Sequence, residues 1–193
     1  MEPENQIIQE PKGVKNYVSL AWELLKIVVI ALVIVFPIRY YLFQPFIVNG
    51  QSMIPSFQSG DYLIVDEISY RFSEPQRGDV IVFKYPLEVS QKFIKRVIGL
   101  PGETVSVSNG EVSITKDGVT NILKEEYLPT DLKTSGDVTI TLQADEFFVL
   151  GDNREYSYDS RRWGVVPRKD IIGKAFLRIF PVAALSDIAR PSY

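Results

Sequence analysis

Two different patterns of hydrophobic and polar residues divide this chain. A long apolar run, LAWELLKIVVIALVIVFPIRYYLF, extends from Leu20 to Phe43 and contains few charges. Beyond it, short segments alternate between apolar and polar residues and are separated by turn-forming residues, which is typical of half-buried β-strands. The pattern therefore predicts one N-terminal helix followed by a β-rich domain.

The alternating segments define the predicted sheet. Asn109-Gly110 lies between two of them and predicts a tight hairpin turn, and Lys116-Asp117-Gly118 predicts a second turn. Because almost no helical periodicity accompanies the strands, we expect a mostly β fold with an antiparallel sheet or a partly open barrel. The predicted strands are Phe46–Val48, Tyr62–Asp66, Asp79–Tyr85, Gln91–Gly99, Thr104–Ser108, Glu111–Thr115, Asp137–Thr141, Glu146–Leu150 and Gly173–Phe180.

The apolar run is long enough for a transmembrane anchor if Glu23 and Lys26 extend toward the lipid headgroups. Trp22, Tyr40 and Tyr41 would then lie near the two membrane interfaces. A buried amphipathic helix is one alternative. A removable signal peptide is another, but no small-residue cleavage site follows the run.

Basic residues around the run predict its orientation. Lys12, Lys15 and Lys26 lie toward its N-terminal side, whereas Arg39 alone lies close to the other end. The positive-inside rule then places the N-terminus in the cytoplasm and the β domain outside. The predicted organisation is a cytoplasmic segment, a single-pass anchor in the cell membrane, an extracytoplasmic domain and a short tail, at residues 1–19, 20–43, 44–181 and 182–193.

Composition narrows the possible chemistry. The 193 residues carry a net charge of −3, so no bulk basic field indicates binding to nucleic acid. The chain has no cysteine and no histidine, which excludes disulfides, cysteine nucleophiles and any Ser-His-Asp triad. We find no convergent acidic spacing for a metal site, no Walker motif and no dinucleotide fingerprint. No metal or cofactor is therefore predicted.

A serine and a lysine could still form a catalytic pair. Ser52 stands in NGQSMIPSF, residues 49–57, a short polar stretch between two apolar runs. A neutral lysine could accept its proton if burial lowered the lysine pKa by roughly 2–3 units. Lys95 would share one face of a strand with the apolar Phe93 and Val97. Taken singly, each is an ordinary turn or strand residue.

The order of several short motifs resembles that of the bacterial type I signal peptidases. The motifs are SMIPSF at 52–57, GDYLIV at 60–65, RGDVIVF at 77–83, KRVIGLPGE at 95–103 and GDNREYSYDSRRWG at 151–164. They follow an N-terminal apolar run, and the resemblance extends from about residue 20 to residue 181. The resemblance implies a Ser-Lys serine protease, a variant of the catalytic triad.

The resemblance assigns roles at the matching positions. It implies that Ser52 is the nucleophile, that Lys95 is the general base and that Ser157 orients the lysine. The backbone N–H of Ser52, with support from Gly50 and Gln51, would form the oxyanion hole. Residues expected to be structural near the site are the pair Asp159 and Arg161, together with Asp152, Asn153 and Arg154 in the same loop.

The chain departs from the family pattern in three places. Gly50 stands where some members have a hydroxyl residue that donates to the oxyanion, so a second donor must come from backbone, water or another side chain. Ser56-Phe57 replaces the common Thr-Leu, and Glu155-Tyr156 replaces a commoner Asp-Asn pair. None of these changes removes the predicted Ser-Lys pair.

The resemblance also implies the substrate, namely the signal peptides of exported preproteins. The cleavage sites of signal peptides have small residues at the first and third positions before the cleaved bond. A pocket with bulky walls would select these small residues. The walls are predicted to be Phe46 and Val48 before the nucleophile, and Phe93 and Ile94 before the base. The lipid bilayer and the secretion translocon are the further partners expected for this monomeric enzyme.

Two other readings of the sequence remain as alternatives. A self-cleaving Ser-Lys repressor of the DNA-damage response would need a DNA-binding region, and the N-terminal segment is instead an apolar run. A membrane-tethered β domain that binds exported proteins without cleaving them is the second alternative. Cleavage of a preprotein, followed on a gel, distinguishes an enzyme from this binding module.

Overall fold

The computed structural model describes residues 12–41, 43–181, 186–188 and 190–191. Side chains are not described at 12–16, 18, 35–41 and 43. Most of the predicted cytoplasmic segment and part of the predicted tail therefore lie outside the described residues, as do the side chains of Tyr40 and Tyr41, which are predicted to lie near a membrane interface. The chain divides into two compact units at Tyr40–Tyr41.

Within the described residues, the first unit consists of helix α1, Lys12–Tyr41, without its last residue. Large apolar side chains between Leu20 and Ile34 are exposed along it, and Lys26 Nζ lies 2.8 Å from Glu23 Oε1. Among the helices in the described part of the chain, none combines the length and apolar character required to cross a membrane.

The second unit is built almost entirely from antiparallel strands, as the alternating sequence predicts. Two single-turn helices, α2 and α3, and one 3-10 turn interrupt them. The bounds are β1 Phe43–Ile47, β2 Tyr62–Asp66, α2 Ser69–Phe72, β3 Val80–Tyr85, β4 Glu88–Gly99, β5 Thr104–Ser108, β6 Glu111–Lys116, β7 Val119–Ile122, β8 Val138–Thr141, β9 Glu146–Leu150, α3 Ser160–Trp163, β10 Val166–Pro167, the 3-10 turn Arg168–Asp170, β11 Ile171–Phe180 and β12 Ser186–Asp187.

The larger sheet has the strand order β1-β2-β11-β3-β4-β9-β10, and β12 adds to β11. Its end strands, β1 and β10, do not pair with each other within the described residues, so the sheet is not a closed barrel. Register shifts in β11 bend this long strand where it passes between β2 and β3. The pairing of Ile81 with Lys95 brings the middle of β4 beside β3.

The smaller sheet has the order β7-β6-β5-β8. Asn109 and Gly110, with φ of 52° and 87°, form the tight turn between β5 and β6, as predicted. Asp117 and Gly118 form the second predicted turn, between β6 and β7, also with positive φ. Alternate residues of β5 and β6, such as Val105 and Ile114, pack with Ile98 and Phe148 of the larger sheet in one core cluster.

Candidate active site

Ser52 lies in a turn that the hydrophobic core holds in place. The turn follows β1, and its base is closed by hydrogen bonds from Val48 N to Asp61 O and from Gly60 N to Val48 O, at 2.9 and 2.8 Å. Met53 and Phe57, on either side of the prolyl turn, are almost completely buried and pack in one cluster with Val48. These anchors leave Ser52 half-buried at the edge of the core.

Lys95 projects from the middle of β4 to this turn. Its Nζ lies 2.7 Å from Ser52 Oγ and 2.9 Å from the carbonyl oxygen of Ile94, and only 4% of the residue is exposed. Alternation along β4 places Phe93 and Val97 together in a different core cluster from Ile94. The fold thus brings together the two residues that the sequence predicts as a pair.

Burial sets the protonation of this lysine. Removal from water lowers the pKa of Lys95 to about 8, while the negative charges of Asp159 and Asp152 act in the opposite direction. With that pKa, about one lysine in ten is neutral at pH 7, compared with roughly one in 2,500 for an unperturbed side chain. At 2.7 Å, a neutral amine can accept the proton of the Ser52 hydroxyl.

Ser157 occupies the same region but does not make the predicted hydrogen bond to Lys95. The described partners of Lys95 Nζ are Ser52 Oγ and Ile94 O. Ser157 Oγ is buried and has no hydrogen-bond partner among the described residues. It lies against Gly151, where an added Cβ would come within 2.5 Å of Ser157 Cβ. The orientation of the base by Ser157 therefore stays a prediction, since this structure places no hydrogen bond between the two side chains.

The residues around the predicted oxyanion hole are tied to other groups. Gly50 N donates to Ser59 Oγ at 3.2 Å, and Gln51 O accepts a hydrogen bond from Asn153 Nδ2 at 3.0 Å. Asn153 N also donates to Ser52 O at 3.0 Å. Asn153 therefore binds the two peptide groups that flank the Cα of Ser52.

Two buried ion pairs support the loop that follows β9. Arg96 binds both carboxylate oxygens of Asp152, at 2.9 and 2.6 Å, and Arg161 binds both of Asp159, at 2.8 Å each. Asp159 also accepts from Gly151 N at 3.1 Å. The Arg96–Asp152 contact holds the loop against β4, and the Arg161–Asp159 contact is local to the loop and α3. Both satisfy carboxylates that are almost completely buried.

Arg154 forms a third buried pair, whose partners the sequence analysis missed. Its guanidinium binds Glu125 and Thr134 in the segment between β7 and β8. Tyr127 from the same segment also contacts it. Nothing in the sequence marks Glu125, because the stretch KEEYLP reads like an ordinary exposed loop.

A cleft of about 290 Å³ opens beside Ser52 and Lys95. The four residues predicted as substrate-pocket walls, Phe46, Val48, Phe93 and Ile94, all line it. Its other apolar, aromatic and charged lining residues include Leu63, Val82, Lys92, Tyr156 and Tyr158. Among the described residues, no group of acidic side chains is arranged to hold a metal ion.

Together, these features suit acyl transfer to a serine. The Ser52 hydroxyl lies within hydrogen-bond reach of an amine whose pKa burial has lowered. The cleft beside it is walled by apolar side chains that can receive part of an extended peptide.

Comparison with known proteins gives a consistent set of relatives. The family model described as signal peptidase, peptidase S26, matches residues 21–180. A signal peptidase I of Leptolyngbya laminosa is 41% identical over 177 residues, which cover 86% of this chain and 83% of that protein. A signal peptidase I P of Bacillus subtilis subsp. natto is 36% identical over 168 residues, covering 82% and 88%. A crystal structure of a signal peptidase I from Enterococcus faecalis shares 33% identity, covers 53% of this chain and 97% of that one, and has a TM-score of 0.45.

Proposed function

Because this chain belongs to the signal peptidase family, peptidase S26, we propose that it cleaves signal peptides from exported preproteins with a Ser52–Lys95 dyad. The observation that carries the proposal is the 2.7 Å contact between Lys95 Nζ and Ser52 Oγ beside an apolar cleft. The relatives named signal peptidase I support the substrate class.

In the proposed reaction, neutral Lys95 takes the proton of Ser52 as Oγ attacks the scissile carbonyl carbon. The resulting ammonium then gives that proton to the departing amine, which leaves an ester between the signal peptide and Ser52. Water attacks this ester while Lys95 again accepts a proton, and the freed serine recovers its hydrogen. The dyad thus ends in its starting state.

The negative oxygen formed in each step needs hydrogen-bond donors. We propose the backbone N–H of Ser52 as one donor. Gly50 has no side chain to supply a second, which leaves backbone, water or another side chain for that role. Asn153, by bonding to the carbonyls of Gln51 and Ser52, supports the orientation of this peptide.

An extended peptide bound along the cleft would place alternate side chains against its walls. Phe46 and Val48 come from the region of β1, and Phe93 and Ile94 come from β4. These bulky side chains leave space for alanine-sized groups at the first and third positions before the bond. The proposed selectivity therefore follows from exclusion of larger residues.

The N-terminal run at residues 20–43 is the proposed membrane anchor. The exposed apolar side chains between Leu20 and Ile34 support this assignment, because such a surface is unfavourable in water. The proposed enzyme is a single-pass monomer with residues 1–19 in the cytoplasm, residues 44–181 on the extracytoplasmic face and residues 182–193 as a tail. Retention of the full chain, but not of a chain beginning at residue 44, in carbonate-washed membranes would support it.

The pH dependence of peptide cleavage tests the proposed mechanism. We expect kcat/KM for a peptide with alanine at the first and third positions to rise with pH, with a midpoint near 8, because the free enzyme needs neutral Lys95. The full chain in detergent is assayed from pH 6 to 10. If kcat/KM were constant over this range, as it would be if its rise were complete below pH 6, the role of Lys95 would be contradicted. No cleavage of either peptide or preprotein would favour the binding module.

Asp159→Asn is expected to move the pH-dependent rise in kcat/KM to lower pH. Burial is the main cause of the lowered Lys95 pKa, and the Asp159 charge opposes it by favouring the ammonium. Without that charge, the amine becomes neutral at lower pH, so the midpoint falls. Asp145→Asn, at an exposed position, is the control and should leave the midpoint unchanged. An upward shift in Asp159→Asn would contradict the electrostatic argument.

A further inference from the structure

The segment between β7 and β8 contacts residues next to the dyad although none of its side chains lines the cleft. Tyr127 of this segment lies under Arg96, with the guanidinium carbon 4.1 Å from the centre of the ring. Arg96 directly follows Lys95 and holds Asp152 through two hydrogen bonds. One face of the ring thus supports the ion pair that adjoins the base.

The hydroxyl group of Tyr127 extends the contact to a second arginine. It donates to Glu125 Oε1 at 2.6 Å and accepts from Arg154 Nη2 at 3.0 Å. Glu125 binds the same guanidinium at two points, 2.6 Å from Nη1 and 2.5 Å from Nη2. Arg154 Nη1 also donates to Thr134 Oγ1 at 2.5 Å. Glu125 and Tyr127 therefore fix the position of Arg154 from one side.

Arg154 is 1% exposed, so these partners must compensate its buried positive charge. On its other side, Nε donates to the carbonyl of Gly151 at 3.1 Å. Between these two residues, Asn153 holds the carbonyls of Ser52 and Gln51. Polar contacts thus link Glu125 to Arg154, the chain itself links Arg154 to Asn153, and two further hydrogen bonds link Asn153 to the backbone of Gln51 and Ser52.

We infer that Glu125 and Tyr127 are positioning residues for Ser52, acting through Arg154 and the loop at 151–153. The inference rests on the proposed function and adds to it a contribution from the segment outside the cleft. Neither side chain touches a reacting atom. Their effect is to keep the loop, and with it Asn153, at the distance that orients the Gln51–Ser52 peptide.

Glu125→Gln tests this role, with Glu126→Gln as the matched control. The two carboxylates are adjacent, but Glu126 is exposed and Glu125 is bound to Arg154. In the full chain in detergent, Glu125→Gln should lower kcat about tenfold per folded molecule and leave KM within about twofold, because geometry changes while the cleft does not. Glu126→Gln should match the wild type.

Two tyrosine variants separate the ring from the hydroxyl. Tyr127→Phe keeps the ring that contacts Arg96 and loses the hydrogen bonds to Glu125 and Arg154, so its kcat should fall less than that of Tyr127→Leu. Urea unfolding of each variant gives the folded fraction by which kcat is normalised. If the losses in kcat disappear after this normalisation, both residues are merely structural and the inference is wrong.

Hydrogen exchange gives a readout that does not depend on turnover. The Asn153 amide, bonded to Ser52 O, should exchange about tenfold faster in Glu125→Gln than in the wild type or in Glu126→Gln. Unchanged exchange would overturn the inference even in an active enzyme. Faster exchange in a chain that cleaves no substrate would retain the inferred coupling and reject the proposed function.

Discussion

Replacement of Ser52 or Lys95 by alanine is expected to lower kcat/KM for a signal-peptide substrate by about three orders of magnitude or more. Ser52→Ala removes the proposed nucleophilic oxygen, and Lys95→Ala removes the amine 2.7 Å from it. Groups that act as one unit show large, non-additive losses, so the double variant should be no slower than either single variant. Single-turnover cleavage of a preprotein measures all three.

The matched controls replace the same residue types away from the cleft. Ser90→Ala and Lys84→Ala change exposed positions on the neighbouring strands β4 and β3 and should retain wild-type activity. Lys95→Ala also empties a buried position, so its folded fraction must be measured beside its rate. A folded Lys95→Ala variant that kept a tenth of the activity would show that another group activates Ser52.

The strands that could be predicted from sequence are those with a buried face or with a continuous buried apolar run. β2, β5 and β9 have the predicted bounds, since buried and exposed residues alternate or apolar residues run through them. β4 begins at Glu88, whereas the predicted strand begins at Gln91. The first residues of β4 are exposed and lack an apolar pattern, so the sequence does not indicate them. β7 was missed for the same reason, as all four of its residues are exposed.

The two-residue strands could not be predicted at all. β10 consists of Val166 and Pro167, and β12 consists of Ser186 and Asp187. Such short elements have no period, and they form only because β9 and β11 offer free backbone groups beside them. β12 also places residues of the predicted tail in the sheet, which its composition did not indicate.

The contact between Ser52 and Lys95 was predictable because few residue types can activate a serine in a chain without histidine. The motif resemblance then selected Ser52 and Lys95, and the strand period placed Lys95 among apolar neighbours. Glu125 and Tyr127 could not be found in this way. Their contacts with Arg154 and Arg96 depend on how the β7–β8 segment returns to the sheet, and that path has no local sequence signal.

Gly151→Ala is the other substitution with a large expected effect, a loss of at least about 100-fold in kcat/KM. The new Cβ would overlap the backbone oxygen of Ser52 and the Oγ of Ser157. The Ser157 hydroxyl could rotate away from the new Cβ. The backbone oxygen of Ser52 could not, because it belongs to the turn that Met53 and Phe57 hold in the core. The turn that carries Ser52 and the loop that carries residue 151 must therefore shift relative to each other, and displacements of about 1 Å have effects of this size.

Gly173→Ala distinguishes loss of geometry from loss of stability. Its Cβ would lie 2.5 Å from Asp66 O and 2.8 Å from Val65 Cγ1, a comparable overlap in β11 that involves no cleft residue. Both variants should unfold at lower urea concentration than the wild type, but only Gly151→Ala should lose activity per folded molecule. Adding Ser157→Gly to Gly151→Ala removes the contacts with Ser157 and leaves the overlap with Ser52 O, so activity should stay low. Recovery in that double variant would mean that Ser157, rather than the nucleophile turn, had been displaced.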